Sequence, residues 1–189
     1  PVGPYFKGGV KLLNLKIETN YHRAAAKGIG NAKAIGNYSA SLYPLSKAKQ
    51  EGFDEVIYLD SITEDRIEEI GSANLFIYNQ GILKTPKLSG AILDGVTRDS
   101  VCKIGSDMLG LKVEEADIFL KDLFEAEEVF CTGTAVGVTP IGKVSYKGKC
   151  FKYNKGQVGP IVKKLQKILL NIQRNEIENP FDWLLPITI

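Results

Sequence analysis

Apolar and polar positions alternate over residues 10–19 (VKLLNLKIET), and that period of two predicts a strand. A loop rich in Gly and Asn follows. Residues 37–52 (NYSASLYPLSKAKQEG) then predict a helix from about Tyr38 to Gly52, with Pro44 as a kink. Residues 55–61 (EVIYLDS) form a compact β-rich run, and residues 73–86 (ANLFIYNQGILKTP) predict a hairpin turning near Asn79 and Gly81. Residues 92–111 predict a turn feeding a helix, with Val101, Ile104 and Met108 on its inner face and Gly110 as its stop. A short acidic helix is expected around residues 120–127, and residues 128–151 (EVFCTGTAVGVTPIGKVSYKGKCF) hold two β-rich runs joined by Gly turns. Pro160 opens a last helix whose predicted inner stripe is Ile161, Leu165, Ile168 and Ile172. Strands and helices mix without a strict βαβ rhythm. The expected fold is therefore one layered domain of α/β or mixed α+β class.

Composition narrows the chemistry. At 189 residues with 44% apolar positions, the chain can bury a core without metals or disulfides. Its 24 Lys and Arg are interspersed with 22 Asp and Glu, which gives no basic stripe for a nucleic acid. No apolar run approaches the roughly 18 residues of a membrane span. The first residues, PVGPYFKGGV, lack the basic and apolar regions of a signal peptide. Their Pro/Gly-rich character instead reads as an extended linker. His22 is the only histidine, and Cys102, Cys131 and Cys150 lack metal-like spacing, so zinc sites and His-based triads are poorly supplied. The cysteines read as reduced core residues of a cytosolic-type protein. Lysine, tyrosine, carboxylates or a cofactor must then carry any chemistry.

Lys33 sits in GIGNAKAIGNY, where glycines allow a ligand to come close. A buried or cation-flanked lysine becomes a nucleophile able to form Schiff bases, whereas the ordinary lysine is solvated. Glu68 and Glu69 precede a Gly-Ser turn and an apolar strand. One of them can face a pocket, and a solvated acidic turn is the plainer alternative. In ILDGVTRDS, residues 95–97 mark a helix N-terminus, suited to an anion such as phosphate, with Thr97 also readable as a simple N-cap. CTGTAVGVTP is a second tight turn, offering the N–H groups of Thr134 and Ala135.

Six stretches in order, PVGPYF, YHRAAAKGIGNAKAIGNYSASL, GFDEVIYLDS, IEEIGSANLF, ILDGVTR and FCTGTAVGVTPIGKVSYKGK, are spread over residues 1–149. Together they resemble the branched-chain amino acid aminotransferases, pyridoxal-phosphate enzymes of fold type IV. The resemblance implies the family's large domain, a β-barrel-like sheet flanked by helices, and transamination of leucine, isoleucine or valine with 2-oxoglutarate. By position, Lys33 matches the lysine that forms the internal aldimine and shuttles the proton between the α-carbon and C4′. Tyr38 matches the phenol at the ring oxygen, and Glu69 the carboxylate at the pyridinium nitrogen. Arg23, Val96, Thr97 and Thr134 match groups around the phosphate, and Leu93 a residue packed on the ring. Thr134 and Ala135 resemble the clamp on the substrate carboxylate, and Tyr5 lies in what matches the loop closing over substrate.

The same resemblance implies a homodimer, and amino acids and 2-oxo acids as the small-molecule partners; the cysteines and the signal-free start make a cytoplasmic location the expectation. It also places residues 1–12 in a remnant of the interdomain loop and residues 13–189 in the large domain. The family's N-terminal small domain is then expected to be missing, leaving apolar surface uncovered and activity in doubt. Two alternatives keep the fold and change the reaction: a D-amino acid aminotransferase or an aminodeoxychorismate lyase. A third is an inactive cofactor-binding module. Asp94 stands where many relatives have proline. Val136 and Thr139 replace the redox CxxC pair of mammalian members, so no such switch is expected.

Overall fold

The computed structural model describes residues 12–25 and 27–187. Among them, nine strands form one sheet: β1 (Leu13–Ile17), β2 (Glu55–Leu59), β3 (Ile67–Ile70), β4 (Asn74–Asn79), β5 (Ile82–Pro86), β6 (Lys112–Ala116), β7 (Glu128–Gly133), β8 (Gly137–Tyr146) and β9 (Lys149–Lys152). The helices are α1 (Ile35–Gln50), α2 (Val96–Lys103), α3 (Leu120–Phe124) and α4 (Pro160–Gln173). Strands neighbour one another in the order β3-β2-β1-β8-β7-β4-β5-β6, with β9 paired to β8. β1 runs parallel to both β2 and β8, and β5 parallel to β6; the other pairings are antiparallel.

The two ends of that order approach each other. Arg66 bridges Phe119, the Ile67 amide donates to Ile118 O at 2.8 Å, and the Leu120 amide donates to Asp65 O at 3.0 Å. The sheet thus curls like a barrel, which protects edges that would otherwise be open. Alternation along the strands divides the core. Leu13, Leu15, Ile57, Leu75, Ile77 and Val129 fill the concave side, and Phe76, Phe130 and Leu83 face α2 and α4. Val56 and Tyr58 of β2 pack with Ala48 of α1.

Most predicted elements stand, and the differences have local causes. α1 begins at Ile35 and continues through Pro44, burying small or polar residues (Asn37, Ser41, Pro44, Ala48), which lets it lie close to the sheet. α2 passes into a π-helical turn over Ile104–Met108 before Gly110, at φ +62°, ends the segment; Met108 is only partly buried. The inner stripe of α4 is Val162, Leu165, Leu169 and Ile172, so Ile161 and Ile168 flank the stripe they were expected to form. Residues 128–151 give three strands where two runs were expected. Cys131 is buried, Cys102 partly so, and Cys150 is exposed, which corrects the reading of all three as core residues.

α4 is set in place by one buried acid. The amides of Ile161 and Val162 donate to Glu128 at 3.1 and 3.0 Å, placing negative charge at the helix start. A Cβ on Gly159 would lie 1.9 Å from Glu128 Oε2, so glycine is required there.

β3 escaped the sequence reading, and it matters most for the site. Leu59 pairs with Ile67 and Ile57 with Ile70, so three residues of β2 face four of β3. This bulge turns both isoleucines toward the core despite their odd spacing, and carries Glu68 and Glu69 between them.

Candidate active site

The loop bearing Lys33 is held from three sides. Asn37, in the first turn of α1, donates through Nδ2 to Ile29 O and Ala32 O at 2.8 and 2.9 Å. The Asn31 amide donates to Gly90 O at 3.0 Å. Arg23 donates to Gly30 O at 3.1 Å and also to Ala91 O. A Cβ on Gly30 would come within 2.4 Å of Ala91 O, so this glycine admits a neighbouring backbone. At Gly30 the close approach is therefore by backbone, where the sequence suggests a ligand. Lys33 itself is exposed, with Nζ 6.0 Å from the Tyr38 ring centroid.

Glu69 is buried and surrounded by donors. It pairs with Arg23, accepts the Leu93 amide at 3.2 Å on Oε1, and faces Asn74 Nδ2 at 3.4 Å on Oε2. Burial pushes its carboxyl up to about 7, against the pull of Arg23 and the Leu93 amide, while Glu68 adds to the rise. Glu68 is buried too. Burial and then Asp60 push it up to about 7, opposed by Arg23, Arg66 and His22. Of the two acids, only Glu69 lines the cleft that Lys33 shares.

That cleft, about 270 Å³, is walled by Lys33, Glu69, Leu93, Val96, Thr97 and Thr134, with Ser72, Asn74 and Thr132 among its other lining residues. α2 starts at its edge. The N-cap is Gly95, which supplies no side-chain cap, so the first amides of the helix are available to an anion. Thr97 is therefore the second residue of the helix, which corrects its reading as the N-cap. Thr132 is fully buried on β7 and its Oγ1 has no partner among the described residues.

Six of the residues singled out from the sequence thus meet in one cleft. Tyr38 stands beside Lys33 without lining it, and Ala135 is exposed on the turn after Thr134. Tyr5 lies outside the described residues, as does nearly all of the stretch assigned to the interdomain loop. Arg23 differs most from expectation: its guanidinium lies behind Glu69, spent on that carboxylate and on two carbonyls, and takes no part in the cleft wall. This placement leaves its expected contact with the phosphate outside what the cleft wall shows. Asn74, Thr132 and Ser72 were missed. A polar residue opening a strand beside a buried acid was the available signal for Asn74.

An amine, a buried carboxylate and an uncapped helix start form one donor set. The family described as amino-transferase class IV matches residues 10–144. The chain belongs to the class IV aminotransferases. Branched-chain-amino-acid aminotransferase 3, chloroplastic, of Arabidopsis thaliana is 44% identical over 183 residues, covering 97% of this chain and 44% of that protein. Among solved structures, the branched-chain aminotransferase of Thermoproteus uzoniensis with norvaline superposes with a TM-score of 0.85 at 32% identity, over 98% of this chain and 59% of that one. The PLP (holo) form of the Thermobaculum terrenum enzyme gives 0.81 at 26% identity, over 89% and 53%. The chain spans about half the length of the relatives it matches. The class IV aminotransferase fold accounts for the curled sheet, and the family uses pyridoxal 5′-phosphate. No helix among the described residues is long and apolar enough to cross a membrane.

The buried acids make this class IV domain pH-sensitive in a defined direction. Burial also pushes Glu55 up to about 7, partly offset by the Val56 amide and Lys49. Each of Glu55, Glu68 and Glu69 is raised from 4.5 to about 7, so the folded state binds protons that the unfolded chain releases. Their contribution is complete below the unfolded value and is lost as pH rises through about 7. Asp60 works the other way. Its burial is outweighed by hydrogen bonds from Thr63 and Ile62 and by Arg66, which hold it low, so its contribution is lost in acid. Thermal unfolding is expected to peak near about pH 5 and fall by several degrees toward about pH 8. A melting temperature that climbs over that interval contradicts these shifts.

Proposed function

We propose that this domain carries the cofactor of a transaminase that moves the amino group of an L-branched-chain amino acid to 2-oxoglutarate. The observation that carries the reading is the cleft where Lys33, Glu69 and the open start of α2 come together. When bound there, pyridoxal phosphate supplies an electron sink for the α-carbon of the amino acid. Lys33 would hold it through Nζ, and the same amine would move a proton at the α-carbon of the substrate. Glu69 holds the ring-nitrogen proton, and its burial strengthens that interaction. The first amides of α2, with the hydroxyls of Thr97 and Thr134, take the phosphate, and the unpartnered Thr132 Oγ1 adds a polar group to the same wall. Leu93 would pack on the ring, and Tyr38 would donate to its ring oxygen. Ala135 and its turn would receive the substrate carboxylate, and Tyr5 is kept among the proposed substrate-binding residues. Arg23 is reassigned to holding Glu69.

The substrate class rests on the relatives, which are named for branched-chain amino acids, and on a neighbour solved with norvaline, another small apolar amino acid. Homodimer formation is part of the proposal. The N-terminal half of α1 exposes Ile35 (86%) and Leu42 (66%), and has no charge before Lys47. A cytoplasmic site is also kept as a proposal, while the Arabidopsis relative is chloroplastic.

A half-reaction tests the whole reading. Protein loaded with pyridoxal phosphate is mixed with leucine, D-alanine or aminodeoxychorismate, and the product is quantified. The 2-oxo acid of leucine is expected to form fastest. Faster conversion of D-alanine or aminodeoxychorismate overturns the substrate class, and uptake of cofactor without turnover of any of the three overturns the activity.

A further inference from the structure

Asn74 has no part in the chemistry above, yet it touches both halves of the cleft. It is buried at the first position of β4. Its Nδ2 donates to Leu93 O at 2.8 Å and faces Glu69 Oε2 at 3.4 Å. The Leu93 amide in turn donates to Glu69 Oε1 at 3.2 Å. Carboxylate, side-chain amide and the main chain of residue 93 therefore form a closed ring of hydrogen bonds. With Nδ2 committed to two oxygens, Oδ1 must point the other way, and there it bears on Gly95. A Cβ on Gly95 would lie 2.2 Å from Asn74 Oδ1. The backbone of Gly95, at φ −81° and ψ 130°, would suit any residue, so Asn74 alone demands glycine at the start of α2.

We propose that Asn74 is a positioning residue that locks the Glu69 carboxylate and the turn of residues 93–95 into one unit. It couples the acid at one part of the cleft to the helix start at another. Asparagine is the side chain that can do this. Aspartate would set an oxygen against two acceptors, and leucine of similar shape would donate nothing. Its functional consequence rests on the proposed role of Glu69, whereas the geometry does not depend on any cofactor.

The test follows the Glu69 carboxyl carbon by NMR against pH in the protein without cofactor, with the signal assigned by Glu69→Gln. Arg23 and Glu68 are the other charged groups facing Glu69, and both are kept. Asn74→Asp is expected to move the Glu69 midpoint upward by about one pH unit or more, and Asn74→Ala by less. Gly95→Ala is expected to shift the same midpoint by displacing Asn74, and to have no further effect in the Asn74→Ala background. That cycle decides the matter even if Asn74→Asp fails to fold. An unmoved midpoint in folded Asn74→Asp, or a Gly95→Ala effect of equal size with and without Asn74, overturns the proposal. Because no cofactor is present, such a result leaves the transaminase reading standing. Failure to take up cofactor would likewise leave the Glu69 titration unaffected.

Discussion

Lys33→Ala is expected to lower the leucine half-reaction at least about 10³-fold, since a positioned proton-transfer group alone contributes 10²–10⁴-fold. The covalent hold on the cofactor disappears with it. The fold should be unmoved. Lys33 is exposed, and among the described residues its amine makes no hydrogen bond or ion pair, so stability should change by no more than about 0.5 kcal/mol. Near-normal turnover in the variant would remove Lys33 from the chemistry. A collapse of the melting temperature would show that the loop needs the amine structurally.

Glu69→Gln is expected to act on both stability and chemistry. Glutamine keeps the shape but sets an amide donor where the carboxylate accepts from Arg23, the Leu93 amide and Asn74, a loss of about 1–3 kcal/mol for buried polar groups left unpaired. The remaining folded protein should turn leucine over about 10²-fold more slowly, the usual scale for removing one fixed electrostatic partner. Arg23→Gln should reproduce the stability loss, because it breaks the same pair from the other side. Thermal unfolding of both variants checks the first claim, and the half-reaction checks the second. An unchanged melting temperature in both would mean that the pair contributes nothing to the fold.

Much of this is legible in the sequence. Alternation over residues 10–19 and the Asn79–Gly81 turn mark a strand and a hairpin that the fold keeps. The Gly-rich loop, the paired acids and the two anion-ready turns supply the residues that line the cleft. What escaped has physical reasons. β3 is four residues long and carries two adjacent carboxylates, so its isoleucines lack the strand period until the bulge restores it. α1 buries Asn37, Ser41 and Pro44 and exposes Leu42, which is the reverse of an amphipathic pattern. Motif position places Arg23 near the cofactor, and its pairing with Glu69 is seen only in three dimensions. Asn74 was invisible for a similar reason, since its partners lie at residues 69, 93 and 95 and meet only through the sheet.

The central claim is that Lys33 is the cofactor's anchor. Borohydride reduction of the protein after incubation with pyridoxal phosphate, followed by peptide mass mapping, tests it directly. One reduced adduct is expected, on the peptide containing Lys33, formed in preference to the many other exposed lysines. An adduct spread over surface lysines, or confined to a different one, would contradict it.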